Sequence, residues 1–559
     1  MTPKQLPLAE VSGLLALILF SAFVVDAQLV ERPLITARHA IVASDEPLAS
    51  MAGMRTLQEG GNAFDAAVAT AVAVGVLDPR MSSIGGNGFA TIYVGKTHEV
   101  RALNFYGSAP QRATASVYQG KDYSHGFLSA PVPSCLKGYE ALHKAYGKLP
   151  WARVLQPAIE LAEDGFVIRQ GLIDDMKEYQ KVLQEFPSTI KVLQPNGRWP
   201  MAGEIFRQPD LARTLKNIAK NGADAFYRGT LAAHIAEFYQ ANGGILSAKD
   251  LAGYQAKWVA PISTNYRGYT FYTQPPSSSA IAVLEQLNML EAYDLKALGH
   301  NSPEYLHLIG EVMRLAIADR NRYVGDPDFV KVPVEKLLSK SYAAERRKLI
   351  HLDSTIPVAT ASDVDAQGDK HTTHLSVVDG DDNMVALTQT LGDLFGSGVI
   401  TADTGVLFSD EMRHLHLDPN DPSRLEPGKR SRSNQSPLIV LKDGKPFMTI
   451  GTPGSNGIWQ RIVQVIVNIV DFGMDVQTAI TAPRMIYGGR AETGTEFKPV
   501  FKVEDRIPLA TLNALRAKGY EVISVKDDDG RVNGIVIDPA TGFRLGGADP
   551  REMDYALGW

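Results

Sequence analysis

Thr372 stands at the head of an alternating stretch, Thr373 to Val378, directly behind Asp353 to Lys370 (DSTIPVATASDVDAQGDK). That preceding segment is polar, has no periodicity and reads as a solvated, cleavable linker. Two roles fit a threonine in this place. As a strand former, Thr is at home at the start of a β-strand. As an N-terminal nucleophile, it is exposed by self-cleavage before Thr372; the freed α-amine then acts as general base for the hydroxyl of the same residue. Thr388 and Thr390 follow on a second alternating stretch, Met384 to Leu391, where a spacing of two puts both on one strand face. Metal chemistry has less to build on. The single cysteine, Cys135, forms neither an intrachain disulfide nor a multi-cysteine zinc cage, and the 12 histidines include no HExxH.

The elements that must position these threonines form two parts meeting at His371-Thr372. Upstream, Leu48 to Val76 is small and apolar on nearly every helical face and is broken by Gly60-Gly61-Asn62, which predicts two buried helices and a tight turn. Ser82 to Tyr93 (SSIGGNGFATIY) reads as a glycine turn entering a strand. Its order of helix, glycines and strand is the reverse of a phosphate cradle, so nucleotide binding is set aside. From about Leu136 to Tyr342 the pattern is mostly amphipathic helix, as in Val154 to Asp164 and Glu304 to Tyr323. Gln274 to Ser279 is a loop between a strand and the helix Ala280 to Tyr293. Downstream of the seam, Asp379 to Asn383 is a hairpin turn, strands follow at Pro437 to Leu441 and Phe447 to Ile450, and Arg461 to Phe472 is a buried helix.

The chain has 559 residues, 45% of them apolar and 21% charged, with 49 Gly and 32 Pro; this is globular usage and excludes disordered, collagen-like and coiled-coil classes. Length alone allows three or four domains. A net charge of −6 gives a nucleic-acid partner no support. Gly13 to Val25 carries no charge but is too short to span a bilayer comfortably. With Lys4 ahead of it and Val25-Asp26-Ala27 after it, it reads as a secretory signal cleaved after Ala27, so the protein is expected in the periplasm or secreted. A docked N-terminal helix is the competing reading.

Thr372-Thr-His-Leu-Ser-Val-Val-Asp379, Thr388-Gln-Thr390, Phe395-Gly-Ser-Gly398, Thr404-Gly-Val-Leu407 and Pro453-Gly454 closely resemble the small subunit of the γ-glutamyltransferases (glutathione hydrolases). The likeness extends through Gly60-Gly-Asn-Ala-Phe-Asp-Ala-Ala67, Tyr146-Gly-Lys-Leu-Pro150, Asp319-Arg320, Gly325-Asp-Pro327, Ala482-Pro-Arg484 and Ala548-Asp-Pro-Arg551, in family order from about Ala37 to Trp559. The resemblance implies a four-layer αββα N-terminal-nucleophile hydrolase fold, α/β in class. It implies one precursor cut between His371 and Thr372 into a large subunit, residues 28–371, and a small subunit, residues 372–559, which stay together as one layered domain. Thr372 is then the nucleophile and Thr390 its hydrogen-bonded support, while Pro453-Gly454-Ser455 supplies backbone N–H groups to an oxyanion. The family usually has a second glycine where Ser455 stands; amide donation survives that change only if no positive φ is needed. The expected partners are a small-molecule amide, water or an amine as acceptor, and the two subunits of the one precursor. No metal, organic cofactor or stable membrane span is called for.

The substrate-reading positions depart from the pattern. The family's carboxylate-clamping Arg lies in a segment that here reads Asn104-Phe105-Tyr106-Gly107, and a tyrosine donates one hydrogen bond where a guanidinium forks two. The family Asn after the Thr-x-Thr strand is Gly392, its ammonium-holding acid is His414, its Gln-type position is Glu411, and its serine pair is Ser433-Asn434. Glu411 and His414, three apart, face one pocket if their segment is helical, and they are the first choice for an altered specificity. Two readings follow: an enzyme cleaving a γ-glutamyl or related acyl amide, or an acylase-type enzyme whose acyl group is not glutamyl. A third, from another class, is a secreted scaffold that has lost activity. Of the remaining residues, His374 is read as structural, Asp319 and Arg320 as an internal ion pair and Cys135 as inert. Trp459 and Tyr106 line either an acyl pocket or the core.

Overall fold

A computed structural model describes residues 32–356, 372–491, 497–527 and 530–559. The expected signal segment and most of the linker, to His371, lie outside the described residues. Two seven-stranded antiparallel sheets face each other. In the first the order is β1 (Ile35–Ala37), β13 (Arg544–Ala548), β12 (Asn533–Ile537), β11 (Lys445–Gly451), β10 (Leu438–Lys442), β7 (Tyr269–Thr273) and β6 (Ile262–Tyr266). In the second it is β14 (Tyr555–Gly558), β2 (Ile41–Ser44), β8 (Thr373–Val378), β9 (Met384–Thr390), β3 (Asn87–Val94), β4 (Glu99–Phe105) and β5 (Lys257–Val259). Both sheets mix strands from before and after Thr372, so the three or four domains that length allows give way to one interleaved sandwich. The stretch read as mostly helix contains β5, β6 and β7, which join the sheets as edge or near-edge strands.

Helices cover both outer faces. On the second sheet lie α1 (Pro47–Gln58), α2 (Ala63–Leu77), α3 (Cys135–Tyr146) and α4 (Trp151–Asp164); on the first lie α5 (Ile281–Leu290), α6 (Pro303–Tyr323) and α7 (Ile458–Val470). The expected four layers are therefore present. The two buried helices around Gly60-Gly61-Asn62 are α1 and α2. All of α2 is buried, and Asn62 caps it, its side chain accepting from the Phe64 and Asp65 N–H groups. Gly53 lets α1 lie close to it, since a Cβ there would stand 2.2 Å from Thr70 Oγ1. α7 starts three residues earlier than its apolar run suggests, at Ile458, because the turn before it already directs the chain into the helix.

The period of two in β8 and β9 decides which side chains meet. Leu375, Val377, Val385 and Leu387 join the core under the α1 to α4 layer. Val378, Met384 and Ala386 join the core between the sheets with Ile439, Ile535 and Ile41. His374, Ser376, Thr388 and Thr390 share the parity of that inward set, so the polar end of each strand also faces the space between the sheets.

Candidate active site

Thr372 immediately precedes β8 and is 5% exposed. Strand pairing sets His374 opposite Thr388 and Thr373 opposite Gln389, which brings Thr372 alongside Thr390. The Thr372 hydroxyl donates to Thr390 Oγ1 at 2.9 Å, and Thr390 Oγ1 also accepts the Gly392 N–H at 2.9 Å. Thr390 thus fixes the direction of the Thr372 hydroxyl. His374 is not part of this pair. Its ring nitrogens lie 2.8 Å from Thr388 Oγ1 and 3.1 Å from Ser376 Oγ, and burial pushes its pKa down to about 3. The ring lies flat on Gly451, whose Cβ would fall 2.2 Å from it, so this histidine is a neutral packing group.

The turn Pro453-Gly454-Ser455 leads into the N-terminus of α7, an end that carries partial positive charge. Gly454 has φ +106° and ψ +56°, and Ser455 has φ +47°. The condition that no positive φ be needed is not met: Ser455 occupies the left-handed region that glycine favours, which a serine enters at a cost of about 1 kcal/mol. Arg461 on α7 donates to the Gly454 carbonyl at 2.9 Å and anchors the turn from its helix side.

The residues at the expected substrate-reading positions fall into two groups. In the first, Tyr106 is buried, stacks on Phe89 at 5.2 Å between centroids, and directs its hydroxyl at Glu411, Ser431 and Ser433. Burial and then the Glu411 charge push that phenol well above its usual range. Glu411 opens a one-turn 3-10 segment, Glu411–His414, so residues three apart do share a side, with His414 Nε2 3.9 Å from Glu411 Oε2. Gly392 belongs here for a reason that its type does not suggest. It has φ +96°, and a Cβ on it would lie 1.8 Å from Asp410 Oδ1. Asp410 occupies the space into which the family asparagine would project; burial raises its carboxyl well above the ordinary range, against the pull of Arg413.

In the second group Asn434 accepts from Arg320 Nη2 at 2.7 Å and donates to Asn456 Oδ1 at 3.0 Å, while Arg320 Nε reaches Ser279 Oγ at 3.0 Å. Asn434 is thereby tied to the turn after Ser455. The expected ion pair of neighbours takes another form: consecutive residues on α6 point about 100° apart, and Asp319 engages Arg346 at 2.9 Å and the Tyr342 hydroxyl at 2.8 Å. Trp459 is a core residue on α7, just after the Pro453-Gly454-Ser455 turn, packed with Ile462 and Val463. Cys135 is buried, and its thiol is pushed up to about 12, which keeps it protonated and unreactive. Sequence reasoning passes over Asp410, Ser431, Asn456, Arg320 as a polar link, and Arg531. Asp410 alone carries a signal, its place beside Glu411 in an acidic pair.

A family model described as gamma-glutamyltranspeptidase matches residues 49–559. The chain belongs to the gamma-glutamyltranspeptidase family. It is 36% identical over 541 residues to the glutathione hydrolase proenzyme of Escherichia coli strain K12, covering 93% of this chain and 92% of that one. It is 37% identical over 514 residues to the acylase ACY 1 proenzyme of Pseudomonas sp. strain SE83, covering 89% and 90%. Among solved structures, the cephalosporin acylase of Bacillus halodurans superposes with a TM-score of 0.86 at 34% identity, covering 95% of this chain and 97% of that one. A Helicobacter pylori gamma-glutamyltranspeptidase chain gives 0.54 at 36% identity, covering 59% and 96%. As a gamma-glutamyltranspeptidase family member with the N-terminal-nucleophile hydrolase fold, the protein is a hydrolase or transferase. Among its described residues no helix is long and apolar enough to cross a membrane.

Proposed function

We propose that this chain is a precursor that cuts itself between His371 and Thr372 into subunits of residues 28–371 and 372–559, and then cleaves acyl amides through an ester on Thr372. The observation that carries the reading is the 2.9 Å hydrogen bond from the Thr372 hydroxyl to Thr390, at the first described residue after the linker. A second supports self-cleavage: Thr372 has φ +92°, strained by about 1–3 kcal/mol for a β-branched residue. That strain disappears with the peptide bond that defines the angle. In the precursor the Thr372 hydroxyl attacks the preceding carbonyl, the C–N bond breaks to leave an ester and a free amine, and water hydrolyses the ester.

In turnover the Thr372 amine takes the hydroxyl proton as Oγ1 attacks the substrate carbonyl. The oxyanion meets amides of the Gly454-Ser455 turn, an interaction worth about 3–4 kcal/mol per donor. The leaving amine departs with the proton, and water or another amine then takes the acyl group from Thr372.

The acyl group is not an ordinary γ-glutamyl group. Tyr106, buried and engaged with Glu411, Ser431 and Ser433, stands where a forked cation would hold an α-carboxylate, and Asp410 fills the space over Gly392. Asn434 is engaged with Arg320 and Asn456 rather than open to a carboxylate. An acyl chain lacking the α-carboxylate suits these groups better, and the two acylase relatives are consistent with that. The inert-scaffold reading loses ground because Thr372, Thr390 and Gly454 are all retained. The test is a panel of γ-glutamyl, glutaryl and butyryl p-nitroanilides. Faster release from an acyl group without the α-amino-acid end is expected; γ-glutamyl turnover comparable to the others would overturn the specificity reading. Export is part of the proposal, from Gly13 to Val25 and Ala27, and Edman sequencing of the large subunit from cells is expected to begin at Gln28.

A further inference from the structure

The Thr372 carbonyl, which takes no part in the chemistry above, is held by a buried cation. Arg531, 2% exposed, donates from Nη2 to Thr372 O at 3.2 Å. Behind it, Asp45 lies 3.7 Å from the guanidinium and accepts the His374 N–H at 3.1 Å and Asn533 Nδ2 at 3.2 Å. Asn533 Nδ2 also reaches His374 O at 3.0 Å. The main-chain carbonyl of Arg531 meanwhile accepts the hydroxyl of Thr452, the residue before Pro453-Gly454. One residue therefore touches both halves of the catalytic arrangement. We propose that Arg531 is a positioning residue that aligns the nucleophile with the oxyanion turn, its side chain holding Thr372 and its main chain holding Thr452. This rests on the reading of Thr372 as nucleophile.

The geometry explains why a carbonyl is worth holding. The amine, the hydroxyl-bearing Cβ and the carbonyl of Thr372 are substituents of one tetrahedral Cα. Fixing the carbonyl and, through Thr390, the hydroxyl leaves the amine one direction. A buried guanidinium is expensive unless paired, and here it is paired with Asp45 and aimed at the one residue whose amine must be aligned. Its charge also acts on that amine. Facing it are Asp45 beyond β2, Asp78 beyond α2, Glu552 and Asp554 before β14, neutral His374 on β8, and Arg461 on α7 at the Gly454 carbonyl. Burial raises both Asp45 and Asp554, Asp554 well above the usual range, and the Arg531 charge pulls each of them back down. Removing the guanidinium leaves the Asp45 side of this group unbalanced and favours the ammonium form of Thr372.

The test compares Arg531→Gln, Arg531→Lys and the double variant Asp45→Asn with Arg531→Gln, as purified processed enzymes. Each is assayed with the best p-nitroanilide of the panel above. For Arg531→Gln, kcat is expected to fall about 100-fold with KM nearly unchanged, and the acidic limb of the kcat/KM profile to move up by about one pH unit. Arg531→Lys recovers part of kcat, and the double variant moves the limb back toward wild type. If Arg531→Gln does not fold, the lysine and double variants carry the same comparison. An unmoved limb together with kcat within threefold of wild type overturns the proposal, as does an equal loss in the lysine variant with an unmoved limb. Thr372→Ala separates the two levels: retained cleavage and turnover there refutes the nucleophile reading, whereas inactive Thr372→Ala beside unaffected Arg531 variants refutes the role of Arg531 alone.

Discussion

Restoring the family asparagine at position 392 is expected to damage the protein rather than return γ-glutamyl activity. A Cβ at this position stands 1.8 Å from Asp410 Oδ1, and real Cβ atoms come no closer than 3.0 Å, so the carboxylate must retreat. Its room is small, because Asp410 accepts the Asp393 N–H at 3.1 Å and lies 3.5 Å from Arg413 Nε. Overpacking of this kind costs about 1–3 kcal/mol. The backbone adds to it, since φ is +96° at Gly392 and a side chain there costs about 1–2 kcal/mol. Gly392→Asn therefore loses about 2–5 kcal/mol by the sum of the two, and Gly392→Ala nearly as much, because the Cβ alone makes the clash. Adding Asp410→Gly to Gly392→Asn removes the overpacking part and leaves the backbone part. Urea unfolding of the four proteins, with γ-glutamyl p-nitroanilide turnover of each, reads both terms. A Gly392→Asn variant within about 0.5 kcal/mol of wild type, the margin of an ordinary surface substitution, refutes this picture of the pocket. So does one that gains γ-glutamyl turnover.

The opposite change, in the turn before α7, should be benign. Ser455→Gly removes a side chain from φ +47° while keeping the amide, so it stabilises by about 1 kcal/mol in urea unfolding and leaves kcat within about twofold. Thr390→Val removes the acceptor of the Thr372 hydroxyl at nearly constant volume and lowers both self-cleavage and kcat, by about 10- to 100-fold, read on a gel and by anilide release. His374 gives a pH effect. Its folded pKa, about 3, lies below the ordinary 6.5, so its contribution is complete above pH 6.5 and falls by up to about 1.4 kcal/mol per unit as pH drops from there toward 3. Relative to wild type, His374→Gln is therefore least destabilised in acid, and equal differences at pH 7 and pH 5 refute the neutral assignment.

What is readable in the sequence follows the range of the interaction. The Thr372 and Thr390 contact depends on one hairpin, where a period of two and a short turn fix the register locally, and it is as expected. α1 and α2 are equally legible, because a helix apolar on every face has only the interior to occupy. The proposed substrate pocket is legible in part. Tyr106, Glu411 and His414 stand out by type, but Gly392 reads as a lost side chain, whereas Asp410, well downstream in the chain, fills its place. Asn434 reads as a ligand contact by position, although Arg320 and Asn456 engage it from α6 and from the residue after Ser455. Arg531 has no local signal at all. It meets Thr372 across 159 residues, from the first sheet to the second, and only the closed sandwich brings them together.

The central claim is that Thr372 is both the new N-terminus and the residue that carries the acyl group. Mass spectrometry of the purified protein, before and after brief exposure to the best anilide, tests it in one experiment. Expected are a small subunit running from Thr372 to Trp559, a large subunit that ends at His371 and begins at Gln28, or at Met1 where the leader is kept, and an acyl mass on Thr372 alone. A single intact chain of 559 residues that is active on the anilide, or an acyl group carried on any other residue, contradicts it.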